Sequence, residues 1–377
     1  MFYKFLVLYV TKRFYLKEDK KNIQIKIDEI IKKIEIEKEK KIEDLQKIKI
    51  NIELNHFPKK SNDNNFNNIF IFNLFYNNSV KPIWMSEDTK NTMNHEKRYN
   101  KEIFDYVNYI TPKEDLIANI KKTLNILKEL FEKKYPEWEI YTFGSYKQNI
   151  STIFSDLDIT INTNKKINFD KKISVISEIL RDDFTIVEII THAIVPIIKA
   201  YSKKTGIKLD ISVDNSNGIE NSMIIMNAIK NKKLRNIMII LKILLKINNL
   251  EKTTLGGMNS FLLFHLVYYY FVVIKNSTKT ENEFQLLHNF LFYYGFEFDN
   301  SRYMLDMKGI KSEMIHKKKN KILSVKTTLS KNDIGGQCKK YDEIKKLFQQ
   351  TSNKINNCIN ELEFSILSKL DFNNINL

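Results

Sequence analysis

The chain has 377 residues, room for two domains on the usual scale of about 100–200 residues each. Hydrophobic residues make up 43%, with 25 Phe and 18 Tyr, which excludes a disordered polypeptide, and the net charge of +16 favours a polyanion or an anionic membrane surface as partner. The two cysteines, Cys338 and Cys358, stand apart with no CxxC spacing, which argues against a disulfide framework or a structural zinc site and for a reducing compartment.

In chain order, residues 1–10 are apolar but interrupted by Lys4, with no small-residue cleavage site after them, and read as an ordinary chain end rather than a signal peptide. Residues 17–54 are dense in Lys, Glu and Ile with apolar residues at three- and four-residue steps, the pattern of an amphipathic, solvated helix. Residues 61–80 are rich in Asn and Phe and read as a linker. A helix is expected over residues 101–110. The next opens with Thr111 as N-cap and Pro112 at its first position, and runs to Tyr135, where Pro136 stops it. Strands are expected at 139–143, 157–162, 184–190, 195–201 and 208–213, with a helix at 173–180. Past Asn221 the pattern is helical for most of the remainder. Residues 261–274 form the longest apolar stretch, short of the about 18–20 residues a membrane-spanning helix needs, and read as a buried core helix. The order implies a soluble α+β protein: a small mixed α/β unit, then a helical domain onto which an N-terminal helix packs back.

The chemistry concentrates in Phe143-Gly144-Ser145, residues 146–155, and Asp156-Leu157-Asp158-Ile159. On a strand, Asp156 and Asp158 face one way while Leu157, Ile159 and Ile161 face the other. Paired carboxylates repel unless a cation lies between them, and Mg²⁺, with its preference for oxygen ligands, suits such a pair. Asp210, in the alternating run Leu209-Asp210-Ile211-Ser212-Val213, supplies a third acid for a two-ion site if its strand lies beside the first. Gly144 permits a tight turn, and its freed N–H groups with the Ser145 hydroxyl are candidates to hold the phosphates of a nucleoside triphosphate.

Gly-Ser, the spaced Asp-x-Asp and a later third Asp resemble the DNA polymerase β-like nucleotidyltransferase superfamily. Within it, Asn100-Lys101-Glu102-Ile103, Tyr109-Ile110-Thr111-Pro112, Val195-Pro196-Ile197-Ile198-Lys199, Gly256-Gly257-Met258-Asn259-Ser260-Phe261 and Asn332-Asp333-Ile334-Gly335 are similar to noncanonical poly(A) polymerases of the TRAMP type, the topoisomerase-related function family. The likeness runs from about Asn94 to the C-terminus. It implies a mixed-sheet nucleotidyltransferase palm packed against a mostly helical central domain, with the active site in the cleft between them. The implied boundaries are 1–93 for an arm and linker, 94–222 for the palm with its N-terminal helices, and 223–377 for the central domain.

The resemblance also implies Mg²⁺ (or Mn²⁺) on Asp156, Asp158 and Asp210, and nucleotide contacts from Gly144, Ser145, Asn221, Lys242, Lys246, Ser260, Phe261 and Asn332. Asn221 matches the position at the sugar hydroxyls, although an N-cap reading stays open. Lys242 and Lys246, four apart in an apolar run, match triphosphate contacts, or snorkel at a helix edge. Ser260 matches a phosphate contact, and Phe261 stands where a base-stacking Tyr is usual. Asn332 matches the position read against the base edge, and its identity favours ATP over UTP. The implied substrates are ATP and an RNA 3′ end, with a zinc-knuckle RNA-binding protein and an RNA helicase as partners in a TRAMP-like complex. Nuclear residence is likewise implied, otherwise cytoplasmic. A terminal uridylyltransferase and a catalytically inactive RNA-binding scaffold are the alternatives.

Overall fold

The computed structural model describes residues 81–163, 168–191, 195–274, 281–307, 313–316, 323–327 and 333–374, all within one compact unit, Leu74–Leu377. The expected N-terminal helix and linker, the Lys317-Lys318-Lys319 run and Asn332 lie outside the described residues.

The longer elements are α1 (His95–Ile110), α2 (Glu114–Lys134), β1 (Glu139–Thr142), β2 (Leu157–Asn162), α3 (Phe169–Leu180), β3 (Phe184–Ile190), β4 (Ile197–Ser202), β5 (Lys208–Val213), α4 (Ser216–Ala228), α5 (Lys232–Ile247), α6 (Ser260–Tyr269), α7 (Glu283–Phe292), β6 (Tyr303–Met307), β7 (Glu313–His316), β8 (Val325–Thr327) and α8 (Tyr341–Asn360). The fold is α+β.

Thr111 and Pro112 do not start α2. Thr111 closes α1 in an extended conformation (φ −84°, ψ 149°), and α2 begins two residues beyond Pro112 with Lys113 as its cap. The proline ring forces its predecessor out of the helical region, which ends α1 at this point. The first turn of α2 relies on Glu114 and Asp115 against the helix dipole rather than on a side-chain cap. At the other end Tyr135 is the C-cap, next to Pro136 as expected.

The bend at Thr111–Pro112 sends the two helices to different cores. Leu127 and Phe131 of α2 pack with Ile173, Ile176 and Leu180 of α3 on one face of a five-stranded sheet ordered β1-β2-β5-β4-β3. Leu157, Ile159 and Ile161 of β2, Leu209 and Ile211 of β5, and Ile198 and Ala200 of β4 supply that face, so the period-two alternation holds on three adjacent strands. Only β2 and β5 run parallel; the other neighbouring pairs are antiparallel.

Helix α1 instead joins α5, α6, α7 and α8 in a second core, where Tyr99, Ile103, Tyr106 and Val107 meet the apolar run Ile237–Leu245. Its buried Glu102 accepts hydrogen bonds from Trp84 Nε1, Ser365 Oγ and the Ile366 backbone N–H. Arg98 Nε and the Tyr99 hydroxyl donate to the carbonyls of Phe364 and Glu363. Helix α1 thereby fastens the C-terminal segment to the helical core. The expected core helix over 261–274 is α6, ending in a π-helical turn, Tyr270–Ile274. Among the described residues no helix is long and apolar enough to cross a membrane. A three-stranded sheet, β7-β6-β8, interrupts the region expected to be helical. Cys338 and Cys358 are buried free thiols, pushed up to about 12 and about 11 by burial.

Candidate active site

Asp158 and Asp210 are direct register partners on the parallel strands β2 and β5, on the sheet face opposite the Leu157/Ile159/Leu209/Ile211 core. Directly paired residues share a face, with Cβ atoms about 5 Å apart. Asp156 lies just before the first residue of β2. Burial raises the Asp158 carboxyl to about 7, with the Asp210 charge adding, against the pull of the Ser145 backbone N–H and Lys242. Burial also raises Asp156, again helped by Asp210, while Lys199, Lys208 and Lys246 oppose it. The three acids therefore form one repelling electrostatic cluster, the condition a divalent cation relieves.

The Gly144 turn is built around one of these acids. Gly144 has φ +62°, and a Cβ there would lie 1.9 Å from Asp158 Oδ2. Only glycine lets the carboxylate approach the turn so closely. The expectation that the turn's N–H groups stand free for phosphate needs correction. The Gly144 N–H donates to Ser222 Oγ at 2.8 Å, and the Ser145 N–H is drawn to the Asp158 carboxylate. The Ser145 hydroxyl has no hydrogen-bond partner among the described residues. Ser222 is a positioning residue the sequence did not single out. Its Oγ also accepts from Gln148 Nε2 (3.3 Å) and donates to the Gly218 carbonyl (2.7 Å), tying the turn to α4. Its one sequence signal is adjacency to Asn221.

The expected nucleotide contacts divide. Asn221 is half-buried in the body of α4, whose N-cap is Asn215, so the N-cap reading of Asn221 is ruled out. Lys242 lies on α5, where burial pushes its ammonium down to about 8 against the pull of Asp158, and Lys246 depresses it further. Its Nζ donates to the Ile150 carbonyl at 2.9 Å, while Arg235 Nε donates to the Asn149 carbonyl at 2.7 Å. These bonds hold the segment between the turn and β2 against the helical core. Lys246 Nζ sits 5.5 Å from the centre of the Phe154 ring. Both lysines thus face the aspartates electrostatically across the junction of the two cores.

Ser260 opens α6 behind the N-cap Asn259, whose side chain accepts from the Leu262 N–H; this gives Asn259 a structural role. Phe261 is partly buried and edge-on to His265, ring centres 4.6 Å apart. Asp333, next to Asn332, accepts from the Ser324 hydroxyl and the backbone N–H groups of Val325 and Gly335, and so organises that loop.

The sequence reading did not single out Lys199. It pairs with Asp210 across β4 and β5, and its Nζ donates to both Asp210 oxygens at 2.8 Å. Among the described residues no three acidic, His or Cys side chains close into a metal-ligand set. The Lys199 ammonium is a stand-in cation on Asp210, and the all-oxygen donor set beside it suits a divalent ion such as Mg²⁺.

Residues 99–228 match the family model described as Poly(A) RNA polymerase, mitochondrial-like, central palm domain. Poly(A) RNA polymerase protein 2 of Saccharomyces cerevisiae is 30% identical over 171 residues, covering 44% of this chain and 29% of the relative. Poly(A) RNA polymerase cid14 of Schizosaccharomyces pombe is 29% identical over 218 residues, covering 53% of this chain and 31% of its own. The chain thus spans about three tenths of the length of these curated relatives. Among solved structures, the polymerase core of TRAMP, an RNA surveillance complex, matches with a TM-score of 0.67 at 23% identity, over 77% of this chain and 96% of that one. The Cid1 poly(U) polymerase bound to Mg 3′-dATP matches with a TM-score of 0.62 at 18% identity, over 70% and 95%. These structures share the fold.

Proposed function

We propose that the chain is a noncanonical poly(A) polymerase that transfers AMP from ATP to RNA 3′ ends, serving RNA surveillance or decay, a reading that the palm-domain match and the poly(A) polymerase relatives support. The observation that carries the proposal is the register pairing of Asp158 with Asp210, beside Asp156 and a glycine turn shaped around the Asp158 carboxylate. Asp156 and Asp158 would hold a divalent ion at the triphosphate, and Asp210 would join them at a second ion. When bound, such ions neutralise the attacking and leaving oxygens of an in-line displacement.

The chain's own residues do the rest. Lys242 and Lys246 bring positive charge toward the departing pyrophosphate, and the Ser145 hydroxyl and Ser260 hold phosphate oxygens. Asn221 contacts the sugar hydroxyls with an amide that both donates and accepts. Phe261 offers its ring face to the base. Asp210 accepts the proton of the RNA 3′-hydroxyl as it attacks the α-phosphorus and pyrophosphate leaves. Asn332 reads the adenine edge. The palm comprises residues 94–222, of which α1 packs in the helical core and α2 on the sheet, and the helical domain comprises 223–377. Nuclear residence and a TRAMP-like assembly with a zinc-knuckle RNA-binding protein and a helicase complete the proposal, in keeping with the net charge of +16.

The test offers each ribonucleoside triphosphate separately, with Mg²⁺, to the full chain and a labelled oligoribonucleotide. Extension from ATP in preference to the others is expected. Extension from UTP alone would establish the uridylyltransferase instead, a reading to which the Cid1 poly(U) polymerase likeness gives weight. No extension with any of the four would reject catalysis.

A further inference from the structure

Four strands place a row of charges across the catalytic face of the sheet. Reading β3-β4-β5-β2, the register partners are Glu188, Lys199, Asp210 and Asp158. Lys199 therefore stands between two carboxylates, one on each neighbouring strand, and each within reach of a lysine side chain across one strand spacing. In the structure it sits entirely on the inner one, donating to both Asp210 oxygens, while Glu188 on the edge strand β3 is exposed. The β3–β4 register shifts between Ile186 and Glu188, and this irregularity brings Glu188, rather than Val187, opposite Lys199.

The Lys199 ammonium and a divalent ion compete for Asp210, because both draw on the same two oxygens and their positive charges repel. From this geometry we infer that Lys199 is a positioning residue with two seats: it holds Asp210 as a resident counter-cation when the ion is absent, and moves to Glu188 when a divalent ion takes Asp210. The device keeps the carboxylate oriented and neutralised between turnovers. It also makes ion binding at Asp210 a competition whose outcome Glu188 biases. The inference rests on the aspartate-site reading above and adds two residues which that reading leaves idle. Burial is the largest single influence on Lys199 and disfavours its charge, but the Asp210 hydrogen bond and the charges of Asp210, Asp156 and Glu188 together outweigh it, so the group keeps its proton beside Asp210.

The test is Mn²⁺ binding to the full chain, read by calorimetry and by the loss of the free-ion electron paramagnetic resonance signal, with no turnover needed. Lys199→Met removes the competitor and should tighten Mn²⁺ by about tenfold, a size ordinary for coupling between neighbouring sites. Glu188→Gln removes the second seat and should weaken Mn²⁺ several-fold. In the double variant the Glu188 effect should vanish, because the lysine that connects it to Asp210 is gone. Unchanged or weaker binding in Lys199→Met overturns the inference, as does a Glu188→Gln effect that persists undiminished without Lys199. If Lys199→Met fails to fold, judged by its circular dichroism and melting curve, exposed Glu188→Gln decides alone, and unchanged Mn²⁺ affinity there rejects the two seats. A separate failure, in which Asp158→Ala binds Mn²⁺ as tightly as wild type, would reject the aspartate site itself.

Discussion

Gly144→Ala probes the site with a single methyl group, and Gly206→Ala supplies its control. Both glycines have left-handed backbones, φ +62° and +72°. A side chain in that region costs about 1–2 kcal/mol, so both variants lose comparable stability from the backbone alone. They differ in what the new methyl meets. At Gly206 there is nothing within 4 Å; at Gly144 the Cβ would lie 1.9 Å from Asp158 Oδ2 and 2.6 Å from its carboxyl carbon. A contact normally needs about 3.4 Å or more, so the carboxylate must retreat by about 1.5 Å or the turn must open. A misplacement of about 1 Å in a reacting constellation costs on the order of 100-fold in rate. Single-turnover extension of an oligoribonucleotide should therefore fall at least that far in Gly144→Ala. It should stay within a few-fold of wild type in Gly206→Ala, with denaturant midpoints lowered in both. Equal activity in the two variants would refute the claim that Gly144 exists to admit Asp158.

Other consequences are open to direct measurement. Because the Asp158 carboxyl is raised to about 7, a divalent ion must displace its proton below that pH. Mn²⁺ affinity should then fall by up to about tenfold per pH unit below 7, with proton release detectable by calorimetry in buffers of different ionisation heat. Glu102 is raised by burial from 4.5 to about 7, so the native state holds this proton more tightly than the unfolded chain. Its contribution to stability is lost as pH rises from about 4.5 through 7, by at most about 3 kcal/mol, and that slope should be absent in Glu102→Gln and therefore appear in the difference between wild type and the variant. His265 and His288, both pushed down to about 4 mainly by burial, work in the opposite direction. Their neutral forms stabilise the fold above about 6.5, and that stability is lost as pH falls toward 4, which acid titration of the melting temperature should reveal. Ser222→Ala leaves the Gly144 N–H without its acceptor, at a cost of about 1–3 kcal/mol, and should lower extension more than the stability loss alone accounts for.

The parts of this fold legible in the sequence were those governed by local periodicity. Alternation in Leu157-Asp158-Ile159-Thr160-Ile161 and Leu209-Asp210-Ile211 located β2 and β5 and oriented their acids, since each strand has one face on the α2–α3 core. Strand adjacency is not local. The β4–β5 hairpin, joined by residues 203–207 with Gly206, is the exception, but the register that sets Lys199 opposite Asp210 is not written in its pattern, so Lys199 could be quoted in a motif without that partner being visible. The β6–β8 sheet escaped for the same reason: Val325–Thr327 is three residues long, and its parallel pairing with β6 is set by tertiary contact rather than by pattern. The Gly144 turn was found by its glycine, while the loss of its N–H groups to Ser222 and Asp158 depends on how α4 docks. Thr111-Pro112 was a local signal with two readings: the restriction on the residue before proline ends α1 there, while α2 starts at Glu114 behind Lys113.

The most direct test of the account replaces Asp158 by Asn, which preserves shape and removes the charge. In a 3′-extension assay with ATP and Mg²⁺, the variant should lose nucleotide addition by at least about 1,000-fold while melting within a few degrees of wild type, as expected when a positioned charge in the reacting constellation is deleted. Extension within about tenfold of wild type would contradict the assignment of the Asp156, Asp158 and Asp210 cluster as the catalytic centre.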